Sequence, residues 1–111
     1  MATYDIAVGW TTVASLTEAE SLAKKILEER LAACVQVDAG VKSFYPWDGK
    51  LCAENEVRLW VKTTRSLAEE IALFLDEHHP YDTPQWVWIP ADGSDAYGQW
   101  IQGEVRSNGG A

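Results

Sequence analysis

Along this 111-residue chain the hydrophobic period switches twice from two residues to about 3.6 and back, and this limits the available folds more than any other feature. Tyr4 to Thr11 reads as a strand, with Ile6 and Val8 in register. Ser15-x-x-Glu18 and Thr17-x-x-Glu20 then match the capping box, in which hydroxyl and carboxylate satisfy free backbone N–H groups. Leu16, Ala19, Leu22, Ala23, Ile26, Leu27 and Leu31 follow at three- and four-residue spacing, which predicts one apolar helix face. Ala32 to Asp38 alternates again, and after Gly40 the run Val41 to Trp47 is extended. Asp48-Gly49 marks a hairpin turn, and on the returning arm Val57, Leu59 and Val61 oppose Arg58, Trp60 and Lys62. Ser66-x-x-Glu69 is a third capping box, leading a helix whose buried face is Leu67, Ile71, Phe74, Leu75 and His78 and which Pro80 ends. Trp86 to Ile89 is the last strand. Ser94 or Asp95 caps a short final helix with Tyr97, Trp100 and Ile101 inside, and Ser107 to Ala111 is a frayed end.

The order β-α-β-β-α-β plus a helix predicts an α+β, ferredoxin-like sandwich: an antiparallel sheet with helices on one face, formed by residues 1–111 as a single domain. The other face must be covered by something. Trp86 and Trp88 project to one side of the last strand and Val87 and Ile89 to the other, while Trp60 opposes Leu59 and Val61. Burying one tryptophan-sized side chain is worth about 2–3 kcal/mol. Trp60, Trp86 and Trp88 are therefore expected at the interface of an obligate homo-oligomer. The alternative is that some of the six tryptophans pack under the hairpin or last helix of their own chain.

Seventeen acidic against nine basic residues give a formal charge of −8, which repels phosphate backbones and argues against nucleic acid. No apolar run approaches the roughly 20 residues that span a bilayer, and no basic segment followed by a hydrophobic one opens the chain; no membrane partner and a cytoplasmic location are expected. Cys34 and Cys52 form no C-x-x-C pair, so neither a redox site nor a four-cysteine zinc site is predicted, and both read as reduced packing residues. Catalytic patterns are missing: no H-E-x-x-H, no glycine-rich cofactor turn and no persuasive carboxylate pair, Glu54 with Glu56 reading as a solvated strand edge. The chain is not expected to be an enzyme. What remains is His78-His79, ahead of Pro80-Tyr81-Asp82-Thr83-Pro84. Imidazoles are the commonest protein ligands for borderline transition metals, and near a helix C-terminus they also serve as a charge against the helix dipole.

Four segments together resemble the CutA family of divalent-ion tolerance proteins: Arg30-Leu31-Ala32-Ala33-Cys34-Val35, Ser43-Phe44-Tyr45-Pro46-Trp47-Asp48-Gly49-Lys50, Glu56-Val57 through Lys62-Thr63-Thr64, and His79-Pro80-Tyr81-Asp82-Thr83-Pro84. The resemblance covers nearly the whole chain. It implies a tight homotrimer, PII-like in architecture, with a role in copper tolerance and binding of Cu(II) or another divalent cation. It also implies ligands at His78 and His79 and at a cysteine ending the first strand. Trp10 stands at that cysteine position, and an indole cannot replace a thiolate. Neighbouring helical residues point about 100° apart, so one histidine is expected to coordinate while the other assists, or symmetry mates complete the shell. Copper(II) is favoured because it binds nitrogen donors most tightly among divalent first-row ions. The alternative is a PII-like regulatory trimer binding a small molecule or partner protein in a cleft of Tyr81, Trp47, Lys62 and Arg58. The lack of a glycine-rich phosphate loop counts against nucleotides there.

Overall fold

In the computed structural model, which describes residues 5–107, Ser15 opens the first helix as its spacing requires. Its Oγ accepts from the Glu18 N–H at 3.2 Å and donates to the Glu18 carboxylate at 3.2 Å. Helix α1 (Leu16–Glu28) follows strand β1 (Ile6–Val13). It ends in a Schellman turn: Leu31 N–H donates to Ile26 C=O at 3.1 Å and Arg30 N–H to Leu27 C=O at 3.0 Å. Arg30 occupies the left-handed position, φ 55°, where glycine is usual. Ile26 and Leu31, the apolar pair of that motif, are fully buried. Leu16 and Leu27, read as part of the apolar face, are exposed; Ala19, Leu22, Ala23 and Ile26 form the buried stripe.

Strand β2 (Cys34–Trp47) joins the two extended stretches on either side of Gly40, with a register shift between Asp38 and Val41. Asp48 and Gly49 both take positive φ, 53° and 75°, as a two-residue type I′ hairpin turn requires. Strand β3 (Lys50–Thr64) runs directly into α2 (Arg65–His78). Ser66 does not cap this helix. Thr64 holds the cap position without a side-chain capping bond, its Oγ1 lying 3.2 Å from Ser66 Oγ, and the Arg65 N–H donates to Asp5 C=O at 2.9 Å. Strand β4 (Val87–Ala91) and helix α3 (Asp95–Glu104) complete the order, with Ser94 accepting from Tyr97 N–H at 3.4 Å.

The sheet order is β2-β3-β1-β4 with all pairs antiparallel, which is the expected ferredoxin-like arrangement. β1 extends past Thr11 because Thr12 and Val13 still pair with Arg58 and Val57. Tyr4 and residues Asn108 to Ala111 of the expected frayed end lie outside the described residues. Helices α1 and α2 cover one face, where Val13, Leu22, Ile26, Val57, Leu59, Val61, Leu67, Ile71 and Leu75 form the core. Helix α3 reaches the opposite side of β3, where Lys62 Nζ donates to the Tyr97 hydroxyl at 3.2 Å. Of its expected inner side only Ile101 is buried; Tyr97 and Trp100 stack on each other at 5.5 Å and remain exposed.

The placement of Trp86 and Trp88 is corrected by the strand register. Trp88 pairs with Gly9, whose face is the helix-covered one. The Trp86 indole lies over Gly9, where a Cβ would come within 2.4 Å of Cη2, and its Nε1 donates to the Ala68 carbonyl of α2 at 2.9 Å. Both rings, 6.1 Å apart, therefore pack within their own subunit and are not on the uncovered face. Alternation shows that the two share a face; only pairing with β1 decides which. Gly9→Ala should drive a methyl into that indole and destabilise the fold by about 1–3 kcal/mol. Thermal unfolding of the variant, expected several degrees below that of the parent, checks this.

Candidate functional site

Pro80 separates the two histidines. It forces the preceding residue out of helical geometry, and His79 is extended at φ −79°, ψ 141°, its N–H still closing the last turn on Leu75 C=O at 2.9 Å. His78 remains helical and exposed, its ring packed at a tilt against Phe74 one turn earlier with centroids 4.3 Å apart. It was expected on the buried face; the helix turns it outward instead. His79 swings beneath the end of β1 and is only 8% exposed. Its Nδ1 accepts from the Tyr81 N–H at 3.0 Å, which places the ring proton on Nε2. Nε2 donates to Thr12 C=O at 2.9 Å and lies 3.1 Å from Thr11 Oγ1.

Around His79 the network continues. The Tyr81 hydroxyl donates to Glu56 at 2.9 Å, and Thr12 Oγ1 donates to Gln85 at 3.2 Å. The loop after α2 is thereby fastened to both β1 and β3. Burial, with help from the Glu56 carboxylate, pushes the Tyr81 hydroxyl far above the ordinary tyrosine range. Glu56 is thus half-buried and engaged, unlike the solvated edge read from sequence, while Glu54 is exposed. Sequence reasoning missed this clasp because Glu56 and Tyr81 are far apart along the chain.

A two-imidazole metal site does not fit this arrangement. Both nitrogens of His79 are engaged within the subunit, and His78 faces other neighbours. Among the described residues no three His, Cys, Asp or Glu side chains form a group able to hold a metal ion. Trp10, at the expected thiolate position, packs on Trp60 at 5.3 Å across the β1–β3 pair. Arg58 lies 4.8 Å from the Trp60 ring and pairs with Asp38 at 3.0 Å, while its buried Nε has no acceptor. Cys34 and Cys52 are partly buried and unpaired.

The proposed small-molecule cleft is also not assembled within one chain. Trp47 pairs with Lys50 at the hairpin tip, eight residues along β3 from Arg58, or roughly 25 Å at strand rise. Lys62 is engaged with Tyr97, and Tyr81 with Glu56. From Lys50 to Glu56, β3 pairs with β2 alone, so the hairpin overhangs the sheet as a two-stranded ribbon. It carries Phe44, Trp47 and Leu51, which are 69%, 61% and 80% exposed. Trp10, Trp60, Val87 and Ile89 are on the sheet face without α1 and α2; the ribbon adds Trp47 to that side and carries Phe44 and Leu51 on its other side.

Comparison with known proteins bears on what this surface and loop serve. Residues 7–104 match the family model described as CutA1 divalent ion tolerance protein. The chain is 36% identical over 101 residues to the chloroplastic protein CutA of Arabidopsis thaliana, covering 90% of this chain and 56% of that relative's length. It is 39% identical over 89 residues to the divalent-cation tolerance protein CutA of Pectobacterium atrosepticum, covering 79% of this chain and 81% of that protein. The crystal structure of CutA1 from Oryza sativa superposes with a TM-score of 0.89 at 32% identity, over 93% of this chain and 95% of that one.

Burial holds His79 below its ordinary value of 6.5, against the opposing effects of its bond to Thr12 and of the Glu18 and Glu56 carboxylates. Above about pH 6.5 the ring is neutral folded or unfolded; below it the unfolded chain takes up the proton first, so stability falls with pH toward the lower folded value. Denaturant midpoints measured from about pH 7.5 to 5 should therefore decline, and His79→Gln should flatten the decline while lowering stability at the upper end.

Proposed function

Because this chain belongs to the CutA1 family of divalent ion tolerance proteins, we propose that it serves divalent-cation tolerance as a cytoplasmic homotrimer that binds and responds to Cu(II). The observation that carries the assembled state is the uncovered apolar surface, Trp10 and Trp60 on the open sheet face and Phe44, Trp47 and Leu51 on the overhanging ribbon. Such a surface marks a site of association, which we assign to other copies of the chain. The number three follows from the family resemblance.

For the cation, His78 is the contact we assign, since its ring is exposed at the end of α2. His79 contributes by fastening the loop that follows, with both nitrogens already hydrogen-bonded. One imidazole per chain leaves the remaining ligands to carboxylates, water or another copy. Cu(II) is the preferred ion on the order of affinities for nitrogen donors. Two thiols that form no disulfide suit a reducing compartment.

Calorimetric titration of Cu(II) should show saturable binding by the parent and by His79→Gln, and loss of at least tenfold in affinity for His78→Ala. Undiminished binding by His78→Ala would remove this residue from the reading. In sedimentation velocity at low protein concentration, Trp60→Ala should dissociate more readily, by about 2 kcal/mol or more per buried indole. Trp86→Ala should lower the melting temperature and leave association unchanged. Parent protein that sediments as folded monomers would overturn the assembly.

A further inference from the structure

On the helix-covered side, away from the open sheet face, a groove of about 590 Å³ runs between the last turns of α1 and the second half of α2. Its apolar floor is not closed by the subunit: Leu73 is 66% exposed, and Phe74 packs against the tilted His78 ring. Its rim is acidic. Arg106 occupies Glu29 at 3.5 Å and Glu70 at 3.4 Å, which leaves Glu28 and Glu77 without an ion pair among the described residues. Lys25 is the other cation on the lining.

We propose that this groove docks a basic amphipathic segment of a partner protein, with an apolar side chain against Leu73 and Phe74 and Lys or Arg side chains against Glu28 and Glu77. Charge complementarity selects this occupant. A second copy of the same chain brings a net charge of −8 to an acidic rim, whereas a cationic segment is attracted to it. Position supports it as well. The groove lies across the sheet from Trp10 and Trp60, so it stays accessible when copies cover that open face. An apolar floor within a charged rim is the common anatomy of a protein interface. This inference does not depend on cation binding at His78.

The probe is a short fluorescein-labelled peptide with Leu at helical i, i+3, i+4, i+7 spacing and Lys elsewhere, beside a control with Ser for each Leu. Fluorescence anisotropy should show saturable binding of the first and at least tenfold weaker binding of the second. Glu28→Gln/Glu77→Gln and, separately, Leu73→Ala should each weaken binding at least severalfold with unchanged melting temperature. Asp48→Asn/Glu54→Gln, which removes the same charge from the distant ribbon, should leave it intact. Equal loss in both double variants would reduce the effect to net charge and overturn the proposal. So would equal affinity for the Ser peptide, absence of binding to the parent, or a change in oligomeric state caused by Leu73→Ala, which would assign the groove to a second copy.

Discussion

A four-stranded sheet has two faces, and this chain has two long helices for only one of them. Everything else follows from that shortage. Leu59 and Val61 face α1 and α2 and supply the subunit's core, while Trp60 on the same strand is turned to the side they leave open. There it meets Trp10 and the guanidinium of Arg58. Helix α3 covers part of that side and then sends Val105 back to the helix-side core, with Arg106 N–H bonded to Arg30 C=O at 2.8 Å. That bond ties the chain after α3 to the left-handed Arg30, and a large apolar surface remains exposed on the open side.

The histidine pair shows how a short motif divides its labour. One proline puts the first ring on a helix surface and the second in the interior. The interior ring joins a network of Thr11, Thr12, Tyr81 and Glu56 that holds the loop against the base of the ribbon. The clasp and the surface imidazole are therefore parts of different devices. The clasp stiffens the subunit where the hairpin leaves the sheet, and the imidazole stands at the edge of the outer groove. Both lie within the span that matches the divalent ion tolerance family, which gives the loop its place in the reading of function.

Local patterns identified most elements directly. The Ser15 cap, the Asp48-Gly49 turn and the alternation of Val57 to Lys62 are decided by bonds and torsions within a few residues, so they are visible in the chain itself. Ser66 misled because the helix starts two residues earlier, with Thr64 at the cap, which puts Ser66 inside the first turn. Leu16 and Leu27 misled because a helix lying on a sheet buries a narrower stripe than its apolar residues cover.

The sequence by itself determined the element order, the ferredoxin-like arrangement, the family and an apolar sheet face in need of a partner. These rest on periodicity and short-range chemistry, which the chain carries in its spacing. Tertiary structure alone decided that Trp86 and Trp88 lie beneath α2, that His79 is fully hydrogen-bonded while His78 is exposed, and that Glu56 holds Tyr81. The reason is physical: which face a strand presents and which nitrogen of a ring is free are set by contacts between residues dozens of positions apart, and no local pattern encodes them.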